Sequence, residues 1–143
     1  MSTLSPLSAL FQSLADPGRL RILALVRSME LTVGELAQLL GQSQPRVSRH
    51  VRILADSGLV VRRKEGSWVF LMLADAARTE PLFEVIDQWV SDEGRAQFAA
   101  DIVRLEAVRA DRAEAAARYF AVHADTWDNI RSLHVAESEV EEA

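Results

Sequence analysis

The sequence predicts a mainly α-helical fold with one small β-hairpin, and three observations predict it. Apolar residues recur at helical spacing along most of the chain. Helix-start residues and glycine stops punctuate it up to Gly58. The period changes to that of strands once, between Leu59 and Leu73.

The elements follow in order. Leu7, Leu10, Phe11 and Leu14 lie at helical spacing behind Pro6, which suits a first turn. Asp16-Pro17 reads as N-cap and first residue of a second helix, with Leu20, Leu23, Leu25 and Val26 on its apolar face. Thr32-Val33-Gly34-Glu35 is a capping box opening a short helix with Leu36, Leu39 and Leu40, and Gly41 is placed to end it. Ser43 caps a fourth helix with Pro45 in its first turn, and Gly58 closes it.

Leu59 to Lys64 and Ser67 to Leu73 are rich in β-branched and aromatic residues, with Glu65-Gly66 as the predicted turn. After Asp75 the helical period returns in Leu82, Phe83, Val85, Ile86, Trp89 and Val90, behind Glu80-Pro81. It continues, with a break expected near Gly94, through Phe98, Ile102, Leu105 and Val108 to about Phe120, and the acidic end, Glu137 to Glu142, is expected to fray. Two short capped helices separated by Gly41-Gln42-Ser43 and followed by a hairpin describe a winged helix-turn-helix. The predicted organisation is a winged helix-turn-helix domain over residues 1–78 and a helical dimerisation or linker extension over residues 79–143.

Composition narrows the function. The chain has 143 residues and no cysteine. Disulfides, thiolate metal sites and a cysteine nucleophile are therefore excluded. No apolar run is long enough to span a membrane and the N-terminus lacks a basic signal region, so a cytoplasmic protein is expected, with no membrane contact. The formal net charge of −5 hides a split. Residues 1–79 carry ten basic and six acidic side chains, and residues 80–143 carry six and fifteen. Such asymmetry points to nucleic-acid contact by the N-terminal half, although a basic run is also compatible with a solvated face.

The fourth helix carries that charge in a pattern. Val47, Val51 and Leu54 share one face, flanked by His50 and Ile53, while Gln44, Pro45, Ser48, Arg49 and Arg52 lie opposite. Gln and Arg can each bond two atoms of a base edge, and Ser43, Ser48 and the helix N-terminus suit phosphate. Arg46 sits to the side, and His50 on the flank suits packing or a phosphate. In the hairpin Arg62, Arg63 and Lys64, with Ser67, cluster near the tip, where a wing touches phosphate or the minor groove. Alone, the helix reads equally as a surface helix made soluble by arginines. The capped helix before it and the basic hairpin after it favour double-stranded DNA.

Leu14-Ala15-Asp16-Pro17-Gly18-Arg19-Leu20-Arg21-Ile22-Leu23 resembles the L-A-D-P-T-R-L-R-I-L opening of the ArsR (arsenic-repressor) family of bacterial winged-helix regulators. Glu30 to Ala37, Ser43 to Val51, and Gly58-Leu59-Val60 with the wing Arg63 to Val69 continue the likeness, from about Leu10 to Leu73. The resemblance implies a homodimer, with the first helix and the helix after the wing at its interface. It also implies binding to an inverted repeat, with repression released by a ligand. Its reader positions match Gln44, Pro45, Ser48 and Arg49.

Two departures alter what the resemblance implies. Where many members sense metal through C-x-C, this chain reads Thr32-Val33-Gly34, so thiolate sensing is excluded. A second family site has the spacing of His123, His134 and Glu137, but Ala121 stands in place of its Asp, so solvent-facing histidines are the simpler reading and no metal or cofactor is expected. Trp68, Phe70, Phe83 and Trp89 are candidates to line an effector pocket, although aromatics at such spacing are more often core.

The stretch Arg118 to Arg131, with Tyr119, Phe120 and Trp127, is similar to the lead-in of SAM-dependent methyltransferases fused behind ArsR-type domains. Packing of those aromatics in a C-terminal helix accounts for it as well. The alternative to a repressor is thus the N-terminal regulatory part of such a fusion. No strand with a G-x-G loop occurs here, so these residues are not expected to catalyse methyl transfer. A winged helix used only for protein contact is the third class, and the polar face of the fourth helix argues against it.

Overall fold

The computed structural model describes residues 3–123. Among them are six helices and three strands: α1 (Ser5–Leu14), α2 (Pro17–Ser28), β1 (Leu31–Thr32), α3 (Val33–Leu40), α4 (Gln44–Asp56), β2 (Val60–Glu65), β3 (Trp68–Leu73), α5 (Ala76–Trp89) and α6 (Asp92–Val122). Trp127, His134, Glu137 and the acidic end lie outside the described residues.

The predicted caps form. The Asp16 carboxylate accepts the Arg19 N–H at 3.1 Å. Thr32 and Glu35 make both bonds of the capping box, at 3.1 and 2.9 Å. Ser43 accepts from the Arg46 N–H at 3.3 Å. Gly41 ends α3 at φ 67°, closed by the Gln42 N–H on the Ala37 carbonyl at 3.0 Å. Each cap satisfies a backbone group that a helix end otherwise leaves open.

Val47, Val51 and Leu54 of α4 are fully or almost fully buried. They pack with Ile22 and Leu25 of α2, Leu36 of α3, Leu59 just before β2, and Val60 and Leu71 of the sheet to form the core. Burial of such side chains is the main favourable term in folding.

The sheet differs from the expected hairpin in two ways. A third strand, β1, adds to the open side of β3 in antiparallel register, Leu31 opposite Leu71 and Thr32 opposite Phe70, giving the order β1-β3-β2. The hairpin turn is Gly66-Ser67 rather than Glu65-Gly66, because Glu65 pairs directly with Trp68. Gly66 takes the first turn position at φ 64°, where a two-residue hairpin loop needs a positive angle.

The break after α5 falls at Val90-Ser91, where Ser91 accepts the Gly94 N–H at 3.0 Å and opens α6. Arg21 of α2 donates to both carboxylate oxygens of Asp101 at 2.9 Å, and Gln97 and Arg104 also donate to that carboxylate. Asp101 is 1% exposed, so α6 is joined to α2 through a buried charge. The chain forms two compact units, the first ending at Leu105 and the second starting at Glu106. In the second, the Tyr119 and His123 rings stack with centroids 4.1 Å apart.

Candidate nucleic-acid interface

The outer face of α4 is polar and open. Ser43, Gln44, Pro45, Arg46, Ser48, Arg49 and Arg52 are all exposed. Val47 and Val51, between them in sequence, turn the opposite way into the core, so the face is fixed by burial on the other side of one helix. Among the described residues, no hydrogen bond or ion pair holds the guanidinium of Arg46, Arg49 or Arg52. The Ser43 cap leaves the free amides of the first turn of α4 beside this face, an arrangement that favours anions.

His50, expected on the flank for packing or a phosphate, lies off that face. It is 8% exposed and sits against the start of α2. Arg19 Nη1 lies 3.1 Å from His50 Nδ1. An arginine can only donate, so Nδ1 accepts and the ring is neutral, with its proton on Nε2. That nitrogen lies 3.7 Å from the Asp16 carboxylate. Burial pushes the His50 pKa below its ordinary value; Asp16 opposes this, and Arg19, Arg46 and Arg49 add to it. Gly18 makes the contact fit, because an added Cβ would come within 3.1 Å of Asp16 and 3.3 Å of His50.

The wing cations separate by strand alternation. Arg62 and Lys64 stand on one face of β2 and are exposed. Arg63 stands on the other. It donates to Glu30 at 3.0 and 2.6 Å and to Glu65 at 2.8 Å, and lies 5.0 Å from the centre of the Phe70 ring. Two carboxylates hold Arg63, so it is a strut between the wing and the segment before β1. Ser67 is exposed in the turn.

Sequence reasoning missed a capping contact at the other end of α4. Arg78 of α5 donates to the Ser57 carbonyl at 3.1 Å, at the C-terminal end of that helix, where a cation is favourable. No local pattern signals it, since the partners are 21 residues apart. The four aromatic candidates do not converge. Trp68 and Trp89 are 62% and 82% exposed, Phe70 lies beneath Arg63, and Phe83 lines a cavity. No group of three or more metal-ligating side chains occurs among the described residues.

Comparison with known proteins places this geometry in a family. The family described as "Bacterial regulatory protein, arsR family" matches residues 16–61, from the N-cap of α2 into β2. The HTH-type transcriptional regulator CmtR of Mycobacterium bovis is 39% identical over 82 residues, 57% of this chain and 70% of that protein. The chain belongs to the ArsR family.

The arsenical resistance operon repressor of Escherichia coli is 47% identical to this ArsR-family chain over 75 residues, 52% of this chain and 63% of that protein. Of the lengths of that repressor and two arsenic resistance regulators of Pseudomonas putida, the chain spans 50 to 63%. Among solved structures, HlyU from Vibrio cholerae matches with a TM-score of 0.55 at 32% identity, over 64% of this chain and all of that one. A homodimeric winged helix-turn-helix DNA-binding domain from Mycobacterium bovis matches with a TM-score of 0.55 at 28% identity, over 62% of this chain and 84% of that one. No helix of the described residues is long and apolar enough to cross a membrane.

Proposed function

We propose that this ArsR-family chain is a sequence-specific DNA-binding transcriptional regulator, a repressor that acts as a homodimer on an inverted repeat in the cytoplasm. The observation that carries the reading is the outer face of α4. Gln44, Ser48 and Arg49 project from the capped end of a helix whose other side is locked in the core, and they are free to bond base edges. Arg46, Arg52, Arg62 and Lys64 surround them for phosphate contact. His50 and Arg63 act behind the surface and hold α4 and the wing in place. Residues 1–78 read DNA in this scheme, and residues 79–143 are the dimerisation or linker extension, with the first helix sharing the dimer surface.

Apolar exposure supports the dimer. Leu4, Leu7 and Phe11, beside and on α1, and Val85 and Trp89 of α5 are each at least half exposed. Large apolar side chains left exposed on two helices are surface a partner copy would cover. Two recognition helices about 34 Å apart would enter successive major grooves. A repressor also needs a release signal, and without cysteine it is not a thiolate-bound metal. The matched relatives are regulators by name, which favours this reading over the regulatory front of a methyltransferase.

The test is fluorescence anisotropy with duplex DNA from upstream of the gene, at several salt concentrations, beside an unrelated duplex. Selective binding with a steep salt slope, weakened in Arg49→Ala, is expected. Equal weak binding to both duplexes, unchanged by the substitution, would refute the reading.

A further inference from the structure

A cavity of about 340 Å³ lies between α2, α5 and the first turns of α6. Its walls are apolar: Leu20 and Ala24 from α2, Phe83 and Ile86 from α5, Phe98 and Ile102 from α6. The volume is at the lower end of that of small-molecule sites. Two features build it. The bidentate Arg21–Asp101 pair joins α2 to α6 on one side. The α5–α6 corner closes the other, and is tight enough that a Cβ on Gly94 would come within 2.7 Å of the Val90 side chain.

The rim carries charge. Arg27 lies over the Phe83 ring, 4.2 Å from its centre, with Glu80 and Asp87 at 3.8 and 3.9 Å. Those two carboxylates hold Arg27, and Asp87 itself also lines the cavity. Arg95 also lines the cavity, and among the described residues its guanidinium has no hydrogen bond or ion pair. A half-open apolar cavity whose lining includes one guanidinium without a partner, that of Arg95, fits a small organic molecule with an apolar body and a single carboxylate.

The surroundings connect this cavity to DNA. Helix α2, one wall, holds the middle of α4 through Arg19 and His50. Helix α5, another wall, holds the end of α4 through Arg78 and the Ser57 carbonyl. A guest between α2 and α5 acts on both holds of the recognition helix. We propose that this cavity is the regulatory site of the protein, taking an aromatic or branched monocarboxylate whose binding lowers affinity for the operator. The proposal rests on the regulator reading above and names its signal.

The probes are benzoate, phenylacetate and indole-3-acetate, with their uncharged amides as controls. They are titrated into the full chain by calorimetry and by amide NMR shifts. At least one acid should bind, with shifts on α2, α5 and the start of α6, and its amide should bind about tenfold more weakly. Arg95→Gln should lose the same factor for the acid and nothing for the amide. Ile102→Trp should fill the chamber and abolish binding. If that variant does not fold, the exposed Arg95 still decides. Bound acid should lower operator affinity about fivefold or more. No acid binding at about 10 mM, equal binding of acid and amide, or bound acid with unchanged operator affinity would each overturn the proposal. Acid binding in the cavity by a chain that binds no DNA would support the site and sink the regulator reading instead.

Discussion

The outer surface of α4 and β2 and the seam between α2 and α6 use the same side chain in opposite ways. On the outer surface Arg46, Arg49, Arg52 and Arg62 are exposed, with no side-chain partner among the described residues. In the interior Arg21 is engaged by Asp101, and Arg19 by His50 and by the Gln12 and Ser13 carbonyls. An arginine whose donors are met within the chain holds the fold. One whose donors are unmet is available to a partner that supplies acceptors, as a DNA groove does. Residue type alone does not separate the two; the position of an acceptor does.

The comparison can be broken most severely at the seam. Asp101→Ala leaves Arg21 without its acceptor, and a loss of about 3 kcal/mol is expected in urea unfolding. Arg21→Met with Asp101→Leu should restore most of it, because an apolar pair needs no charge to be desolvated. A loss below about 0.5 kcal/mol in the single variant would show that the seam is not held by charge.

Arg49→Ala strikes the outer surface and should do the reverse. Unfolding should move by no more than about 0.5 kcal/mol, while operator affinity falls by about 1–3 kcal/mol. Urea unfolding and anisotropy on the same preparation check both; a large unfolding change with intact binding would reassign Arg49 to the interior class.

His50 lies between the two regions and gives a pH signature. Its pKa is lowered by burial, so the unfolded chain takes up the proton first as pH falls. Its contribution is whole above the ordinary His value near 6.5 and drains away below it, at no more than about 1.4 kcal/mol per pH unit. Thermal unfolding from about pH 7.5 to about pH 5 should show this slope, reduced in His50→Gln. Identical profiles would assign the slope to other groups. The smallest effect is expected in the wing. Lys64→Ala should flatten the salt dependence of DNA binding by about one unit, and Arg63→Ala by less, since Glu30 and Glu65 already hold its charge. Equal changes would erase the distinction between free and partnered wing cations.

Much of this was legible in the sequence because it is local. Asp16, Thr32, Ser43 and Gly41 act on backbone groups within five residues, and each does in the structure what its position predicts. The outer face of α4 was legible for the same reason, since burial of Val47, Val51 and Leu54 fixes the opposite side. Strand β1 was missed because two residues carry no period, and they pair with residues some forty positions away. Arg21–Asp101 spans 80 positions, so no pattern joins them. His50 is different. With Val47, Val51 and Leu54 it completes a core-facing stripe at i, i+3, i+4 and i+7, so the signal was present. Its flank position left packing and phosphate contact both open, and the acceptor role that Arg19 gives its ring was not visible.

The wing turns an alternation into a parity rule. Three neighbouring cations, Arg62, Arg63 and Lys64, cannot all present themselves to one partner, because a strand sends successive side chains to opposite sides. Here the even positions are open and the odd one is neutralised beside Glu30, Glu65 and Phe70. A single-residue insertion between Val61 and Arg62 would exchange the two sets. Arg63 would turn outward, while Arg62 and Lys64 would turn toward the carboxylates. The composition and net charge of the basic residues would be unchanged, yet the open cations would fall from two to one. In a hairpin of this kind, charge offered to a partner is counted by every second residue.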